Sequence, residues 1–407
     1  MRPETVHMAS VGLRAATSFS VAAIYVPYLQ SLGCTIGDIF LMNVVFQGTI
    51  AAMEVPTGFI ADRYGRGGSV RLGILLHGAG FALYGTIDGL AGACASETLC
   101  GIGYACISGA QNAWLKAALI ASGRPEPQAL KKVRADAVAI ETLVAMASSA
   151  FFGWLCWDVP RLGYAIAAAF AVLNWIVANQ LDERGEYADR KTTGLAGSKY
   201  AARLLWQDPW MRWMAAARAA FPLWGGFNYG WAPFFGRLIP TALLGTAFSF
   251  IICCFGAGGW LSRRIHGRTP LAVAPLLAGA GLGLMSIVFG GGSATSALFF
   301  AGIFQACRGA APPAIDTAVQ ERAPEAYRAT AESLVSMWGS ASAAMLGIVF
   351  GIWFRGDAIE NVRLNWILAG GGLSLAGVAL WIFRPKTADI PSLGKTPFRR
   401  GLFMQKR

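Results

Sequence analysis

The chain has 407 residues, of which 55% are hydrophobic and only 14% are charged, and its formal net charge is +12. Soluble proteins carry about 25% charged residues, so this composition excludes an ordinary soluble domain and indicates a membrane protein. The positive charge alone would also suit a nucleic-acid-binding protein, so its placement along the chain has to decide between the two.

Twelve apolar segments are predicted to cross a lipid bilayer as α-helices. Each approaches the ~20 residues that a helix needs to span the ~30 Å hydrocarbon core. A hydrophilic stretch separates the first six segments from the last six. The sequence therefore predicts a six-helix half at 1–181, a cytoplasmic linker at 182–207, a second six-helix half at 208–384 and a basic cytoplasmic tail at 385–407. In chain order the predicted spans are 8–31, 38–61, 69–91, 93–119, 134–156, 160–181, 209–235, 239–261, 270–290, 294–318, 328–353 and 362–383.

The basic residues are distributed very unequally between the two sides of the predicted bundle. With the N-terminus inside, 27 of the 34 lysines and arginines lie on the inner loops and tails or in the adjoining turn of a span, four lie likewise on the outer side, and three lie deeper inside spans. The positive-inside rule then predicts a multi-pass protein of the cell (inner) membrane with cytoplasmic N- and C-termini. The same distribution removes the nucleic-acid interpretation, because the positive charge follows membrane topology.

A short polar link joins the second and third predicted spans. It contains Gly58, Asp62, Arg63, Gly65 and Arg66 in the order G-x-x-x-D-R-x-G-R, and it follows a Pro-Thr lead-in. Its glycines allow two helix ends to approach closely and turn sharply.

This link resembles the helix 2–3 loop signature of the major facilitator superfamily. The resemblance implies an all-α membrane fold of twelve transmembrane helices in two pseudo-symmetric six-helix halves. It also implies that the five residues of the link form a gating latch at the cytoplasmic face. The sequence departs from the family pattern after Arg66, where Gly67 and Gly68 replace the usual basic residue, and in the fifth span, which lacks the antiporter motif of drug exporters.

The two predicted halves repeat one another weakly. Arg14-Ala-Ala in the first span recurs as Arg218-Ala-Ala in the seventh. Residues 259–264 match the polar link in part. Two parallel repeats of this kind are typical of transporters that rock around a midplane site.

Polar side chains inside predicted spans are candidates for cargo binding, because charge within a bilayer is costly unless it is paired or hydrated. For Arg14 and Arg218, snorkelling to the headgroups or a structural ion pair is the alternative. Arg308 lies near the middle of the tenth span, which favours a cavity role. The predicted substrate-binding residues are Arg14, Tyr25, Arg218, Asn228, Gln305 and Arg308.

Three carboxylates within spans are predicted proton-coupling candidates: Glu97, Glu141 and Asp316. Desolvation disfavours the charged form of a carboxylate, so such groups can exchange protons near neutral pH.

No arrangement of residues typical of an enzyme is present in the sequence, and no metal or cofactor is predicted. The leading interpretation is a monomeric secondary active transporter of a small organic molecule, working by alternating access as a proton-coupled exporter. Uptake of an organic anion is the alternative, motivated by the three arginines inside spans. A third interpretation is a receptor or assembly factor that has the fold without transport. The predicted partners are the small-molecule substrate, protons and the lipid bilayer.

Overall fold

The structure of the chain, a computed structural model, describes residues 2–122, 127–180, 206–262, 269–290, 292–322, 328–353 and 359–385. These residues form fourteen α-helices and contain no β-strand, as the all-α prediction requires. Nearly all of the predicted linker and of the predicted tail lies outside the described residues. The helices are α1 (Pro3–Phe19), α2 (Tyr25–Ser31), α3 (Ile36–Tyr64), α4 (Arg66–Tyr84), α5 (Leu90–Ala121), α6 (Pro127–Leu155), α7 (Pro160–Ala178), α8 (Pro209–Ala220), α9 (Gly225–Phe235), α10 (Leu244–Ser262), α11 (Thr269–Gly290), α12 (Ala294–Arg322), α13 (Arg328–Trp353) and α14 (Ile359–Ile382).

Ten of the twelve predicted spans correspond to one helix each, and the first and seventh are each divided into two. Eight of the described helices, α3, α5, α6, α7, α10, α11, α13 and α14, are long and apolar enough to cross a membrane. The four divided helices hold 17, 7, 12 and 11 residues, which is too short for any of them to cross alone. Each pair therefore has to cross the membrane together.

Both divided spans are interrupted next to a proline. Pro27 lies in the first turn of α2, where a missing N–H group has no intrahelical partner to lose. Between α8 and α9 the chain forms a 3₁₀ turn, Phe221–Trp224, that contains Pro222. Trp366 on α14 donates from Nε1 to the carbonyl oxygen of Gly226, 2.9 Å away, and so fixes the start of α9.

Within the polar link, the connection between the helices of the second and third spans is a single residue. α3 ends at Tyr64 and α4 begins at Arg66, with Gly65 between them at φ 86° and ψ 151°. Residues with a side chain rarely adopt this positive φ, so a glycine is needed here. The prediction of a sharp glycine turn is confirmed.

α4 and α5 pack closely because both carry glycine at their contact. A methyl group added to Gly73 would lie 2.6 Å from the carbonyl oxygen of Gly103, and the reverse substitution would be equally tight. This close packing of antiparallel helices places Tyr84 on α4 beside Glu97 on α5.

Helices from the two predicted halves meet at one end of the bundle. We call the end at which α1 begins the N-terminal face and the opposite end the distal face. Near the distal face, the rings of Phe40 on α3 and Phe350 on α13 lie 5.4 Å apart. On the other side of the bundle, the hydroxyl oxygens of Ser149 on α6 and Ser249 on α10 lie 3.0 Å apart. These contacts form a seam, which we call the distal seam.

Candidate central binding cavity

A cavity of about 500 Å³ lies between the two groups of helices. It begins at the contact of Phe40 with Phe350 and extends toward the N-terminal face as far as Ser336, on the first part of α13. Aromatic rings, amides and two arginines dominate its wall. The lining residues include Phe40, Asn43, Gln47, Tyr104, Arg218, Phe221, Trp224, Asn228, Tyr229, Phe255, Arg308, Ser336, Ser340 and Phe350.

Arg308 is one of the two arginines that line the cavity. Its Nη1 donates to Oδ1 of Asn228 on α9, 2.7 Å away. The guanidinium carbon lies 5.7 Å from the centre of the Trp224 ring and 5.8 Å from that of Phe255, within range of a cation–π interaction. Among the described residues no carboxylate pairs with Arg308. The groups that contact its guanidinium are one amide oxygen and two aromatic rings. The remaining N–H groups are free to bind the carboxylate or phosphate of a ligand in two places.

Arg218 also lines the cavity, but an acid partly offsets its charge. Its Nη1 lies 3.6 Å from Oδ1 of Asp316, and the two side chains are 22% and 40% exposed. Its guanidinium also stacks over the Phe221 ring at 5.3 Å. Predicted separately as a cargo residue and a proton site, Arg218 and Asp316 thus form one ion pair.

Arg14 and Glu141 form a second ion pair, between α1 and α6, with Nη2 and Oε1 3.3 Å apart. Neither residue is among those that line the cavity. Arg14, a predicted cargo residue, and Glu141, a predicted proton site, therefore form one ion pair within the first half. The Nε atom of Arg14 is buried and has no hydrogen-bond partner among the residues that the structure describes.

Glu97 is the centre of a hydroxyl cluster on the distal side of the first half. Its Oε1 accepts hydrogen bonds from the hydroxyls of Tyr25 and Tyr84, each 2.7 Å away. Tyr25, a predicted cargo residue, therefore contacts Glu97, a predicted proton site. Gln305, another predicted cargo residue, is buried one turn before Arg308 and does not line the cavity.

Part of the predicted gating latch lies beyond the description of the structure. Gly58, Asp62 and Arg63 belong to α3, but nothing is described of their surroundings. Gly65 and Arg66 are described as the turn and the first residue of α4. The gating role of these five residues stays a prediction.

The sequence analysis missed Asn43 and Gln47, which bring the first half to the cavity wall. The two amides are four residues apart in an otherwise apolar span, and residues at this spacing lie on one face of a helix. That spacing is the signal that could have identified them.

Comparison with known proteins identifies one family from the sequence and one fold from solved structures. Residues 8–348 match the model of the family described as Major Facilitator Superfamily. No curated protein matches the sequence. Among solved structures, a mutant of the nucleoside transporter NupG is similar with a TM-score of 0.78 and 11% identity, over 94% of this chain and 100% of that one.

Two further solved structures are similar at the level of the fold. A D-xylose-proton symporter has a TM-score of 0.74 and 15% identity, over 95% of this chain and 98% of that one. The peptide transporter POT in complex with sulfate has a TM-score of 0.71 and 16% identity, over 94% of both chains. At these identities the likeness concerns the fold alone.

Proposed function

The chain belongs to the Major Facilitator Superfamily, and from this premise we propose that it moves a small organic anion across the membrane by alternating access. The family membership confirms the resemblance seen in the polar link around Asp62, and it identifies a multi-pass membrane transporter. The cargo class rests on one observation: Arg308 faces the central cavity with no carboxylate partner among the described residues.

The balance of charge in the cavity favours an anion. Arg218 is partly neutralised by Asp316, whereas Arg308 has only the neutral Asn228 as its polar partner among the described residues. A cation on a cavity wall surrounded by protein attracts an anion more strongly than it would in bulk water. A guanidinium can hold a carboxylate or phosphate through two parallel hydrogen bonds. The site therefore suits a cargo with one such group.

The rest of the wall favours an organic body of moderate size. Trp224, Tyr229 and Phe255 offer aromatic surface, and Asn43 and Gln47 offer amide groups on the opposite side. A volume of about 500 Å³ falls within the range of ~300–1,000 Å³ for pockets that bind small organic molecules. The solved relatives carry cargos as different as nucleosides, peptides and D-xylose. The cargo class is therefore inferred from the residues of this chain.

The distal seam supports alternating access. Helices of the two halves meet near the distal face, while the cavity extends toward the N-terminal face. With the N-terminus in the cytoplasm, as the basic residues predict, this arrangement is a carrier open to the cytoplasm. Proton coupling belongs to the proposal as well, and experiment separates export, the leading prediction from the sequence, from uptake of an anion, its alternative. The direction of accumulation in right-side-out and inside-out vesicles tests export against uptake, and absence of any flux would favour the receptor interpretation.

The anion site can be tested on the purified protein with benzoate and its neutral analogue benzamide. We expect benzoate to bind and benzamide to bind far more weakly. Arg308→Ala should lower benzoate affinity about 10- to 100-fold, since a hydrogen bond to a charged group contributes about 1.5–3 kcal/mol. Arg308→Lys keeps the charge but loses the planar fork, so it should have an intermediate effect.

Arg161→Ala is the matched control, because Arg161 forms an exposed pair with Asp88 at 3.0 Å, far from the cavity. It should leave benzoate affinity unchanged. Equal binding of benzoate and benzamide, or unchanged affinity in Arg308→Ala, would show that Arg308 is not an anion anchor. Isothermal titration calorimetry gives the affinities, and thermal melting confirms that each variant is folded.

A further inference from the structure

Glu97 differs from the other two predicted proton sites in its partners. Glu141 is paired with Arg14, and Asp316 is paired with Arg218. Among the described residues, Glu97 has no cationic partner and is held only by phenol hydroxyls. A carboxylate paired with arginine is held in its charged form, whereas one surrounded by neutral groups can change charge.

The geometry around Glu97 leaves one oxygen available for a proton. Both tyrosine hydroxyls donate to Oε1, and the Tyr25 and Tyr84 oxygens are themselves 3.4 Å apart. Oε2 has no hydrogen-bond partner in the part of the chain that the structure describes. A proton on Oε2 would leave Oε1 as a carbonyl oxygen that still accepts both hydrogen bonds. The cluster therefore accommodates either charge state of Glu97 without rearrangement.

The titratable groups around the cluster are neutral or committed elsewhere. Tyr84 on α4 is itself held against Tyr164 of α7 by ring stacking at 5.3 Å. The two charged groups of α1 and α6 in this region, Arg14 and Glu141, pair with each other. The other titratable neighbours are His77 on α4, Cys94 and Cys100 on α5, Tyr229 on α9, and Asp38, which caps the start of α3.

A short helix connects this cluster with the cavity. Tyr25 lies on α2, which the break after α1 separates from the rest of the first span. α2 contacts α9 of the other half, and α9 carries Asn228, the partner of Arg308. Tyr229, also on α9, lines the cavity together with Arg308. Movement of the two halves at the distal face must therefore alter the contact between α2 and α9 next to Glu97.

We propose that Glu97, capped by Tyr25 and Tyr84, takes up one proton for each anion that binds at Arg308. This inference rests on the proposed function. The proton comes from the solution and forms an O–H bond at Oε2, and no other bond changes. One negative charge on the cargo and one proton on Glu97 cancel, so the loaded carrier has the same net charge as the empty one. Anion transport would then be driven by a pH difference and be insensitive to membrane potential.

The central test measures proton uptake when benzoate binds to the purified, weakly buffered protein. We expect about one proton per bound benzoate in the wild type and none in Glu97→Gln, because binding linkage is reciprocal. Benzoate affinity should rise as pH falls, by up to about tenfold per pH unit, and this dependence should vanish in Glu97→Gln. Glu97→Asp retains a titratable group and should retain proton uptake. Asp88→Asn, an exposed carboxylate on the distal side, is the control and should behave as the wild type.

Proton uptake that persists in Glu97→Gln would overturn the proposal. A second measurement does not depend on the cargo. Infrared difference spectra on acidification should contain, among the carbonyl bands of the other carboxylic acids, one band in the wild type that is missing in Glu97→Gln. If the wild type does not bind benzoate, the anion proposal fails and the infrared spectra alone decide the role of Glu97. Spectra that do not differ between the two proteins would also overturn it.

Discussion

At the scale of single residues, the main lesson is that charges inside spans acquire their meaning from their partners. Arg14 meets Glu141 across 127 positions of sequence, and Arg218 meets Asp316. The sequence identifies all four as unusual, since each is charged within an apolar run. It cannot identify the pairs, because partners so far apart depend on which helices pack together. Of the predicted cargo residues, Arg218, Asn228 and Arg308 line the cavity, and their role in binding stays a prediction.

The Arg14–Glu141 pair gives a prediction about stability. Glu141→Gln and Arg14→Gln should each lower the melting temperature of the detergent-solubilised protein, because each leaves one charge without its partner. The pair is about one-quarter to one-third exposed, so we expect a loss of about 1–2 kcal/mol, below the ~3–5 kcal/mol for a fully buried pair. The double variant should recover part of this loss. Strictly additive losses would show that the two charges do not interact.

At the scale of helices, hydropathy predicts where a span lies but not whether it is continuous. The breaks after α1 and α8 fall inside runs that remain apolar throughout, so average hydropathy does not detect them. Pro27 and Pro222 are visible in the sequence, yet proline in a span can also produce only a kink. The contact of Trp366 with Gly226 comes from a helix 140 residues away and lies beyond local sequence reasoning.

The single-residue turn at Gly65 gives a prediction of the same scale. Gly65→Ala should destabilise the protein by about 1–2 kcal/mol, the cost of forcing a side chain into a left-handed backbone conformation. Gly371→Ala is a matched control: Gly371 lies within α14, and a methyl group there would meet open space. That substitution should be neutral or stabilise by up to about 1 kcal/mol. Thermal melting compares the two, and equal effects would contradict the strained turn.

At the scale of the whole molecule, the sequence repeats predict two similar halves of the bundle. They do not predict at which end of the bundle the two halves meet. The repeat of Arg14-Ala-Ala as Arg218-Ala-Ala and the polar link predict two similar halves. Which end of the two halves meets depends on contacts such as that of Phe40 with Phe350. Both states of an alternating-access carrier use one sequence, so the sequence specifies the pair of states rather than one of them.

A disulfide across the distal seam should trap the closed state. Cysteines replacing Ser149 and Ser249 place two sulfur atoms where hydroxyl oxygens now lie 3.0 Å apart, close enough for oxidation to join them. In a background without the eight native cysteines and with Ser340→Cys in the cavity, an impermeant maleimide should then label the locked protein from the N-terminal face only. Reduction should restore labelling from both sides. Labelling from the distal face in the oxidised protein would contradict the closed seam, and each single cysteine variant serves as a control.

The composition of the distal seam has an energetic consequence. Much of it is built from residues with little or no side chain. Besides the two serines, its contacts involve Gly153, Gly245, Gly347 and Gly351. Inside a bilayer the hydrophobic effect does not draw helices together, so van der Waals packing at such small residues has to hold much of the seam. This attraction falls off within a fraction of an ångström, so a small separation of the two halves loses much of it. We expect a carrier closed in this way to open once its helices separate slightly, so that bound cargo can decide which side it faces.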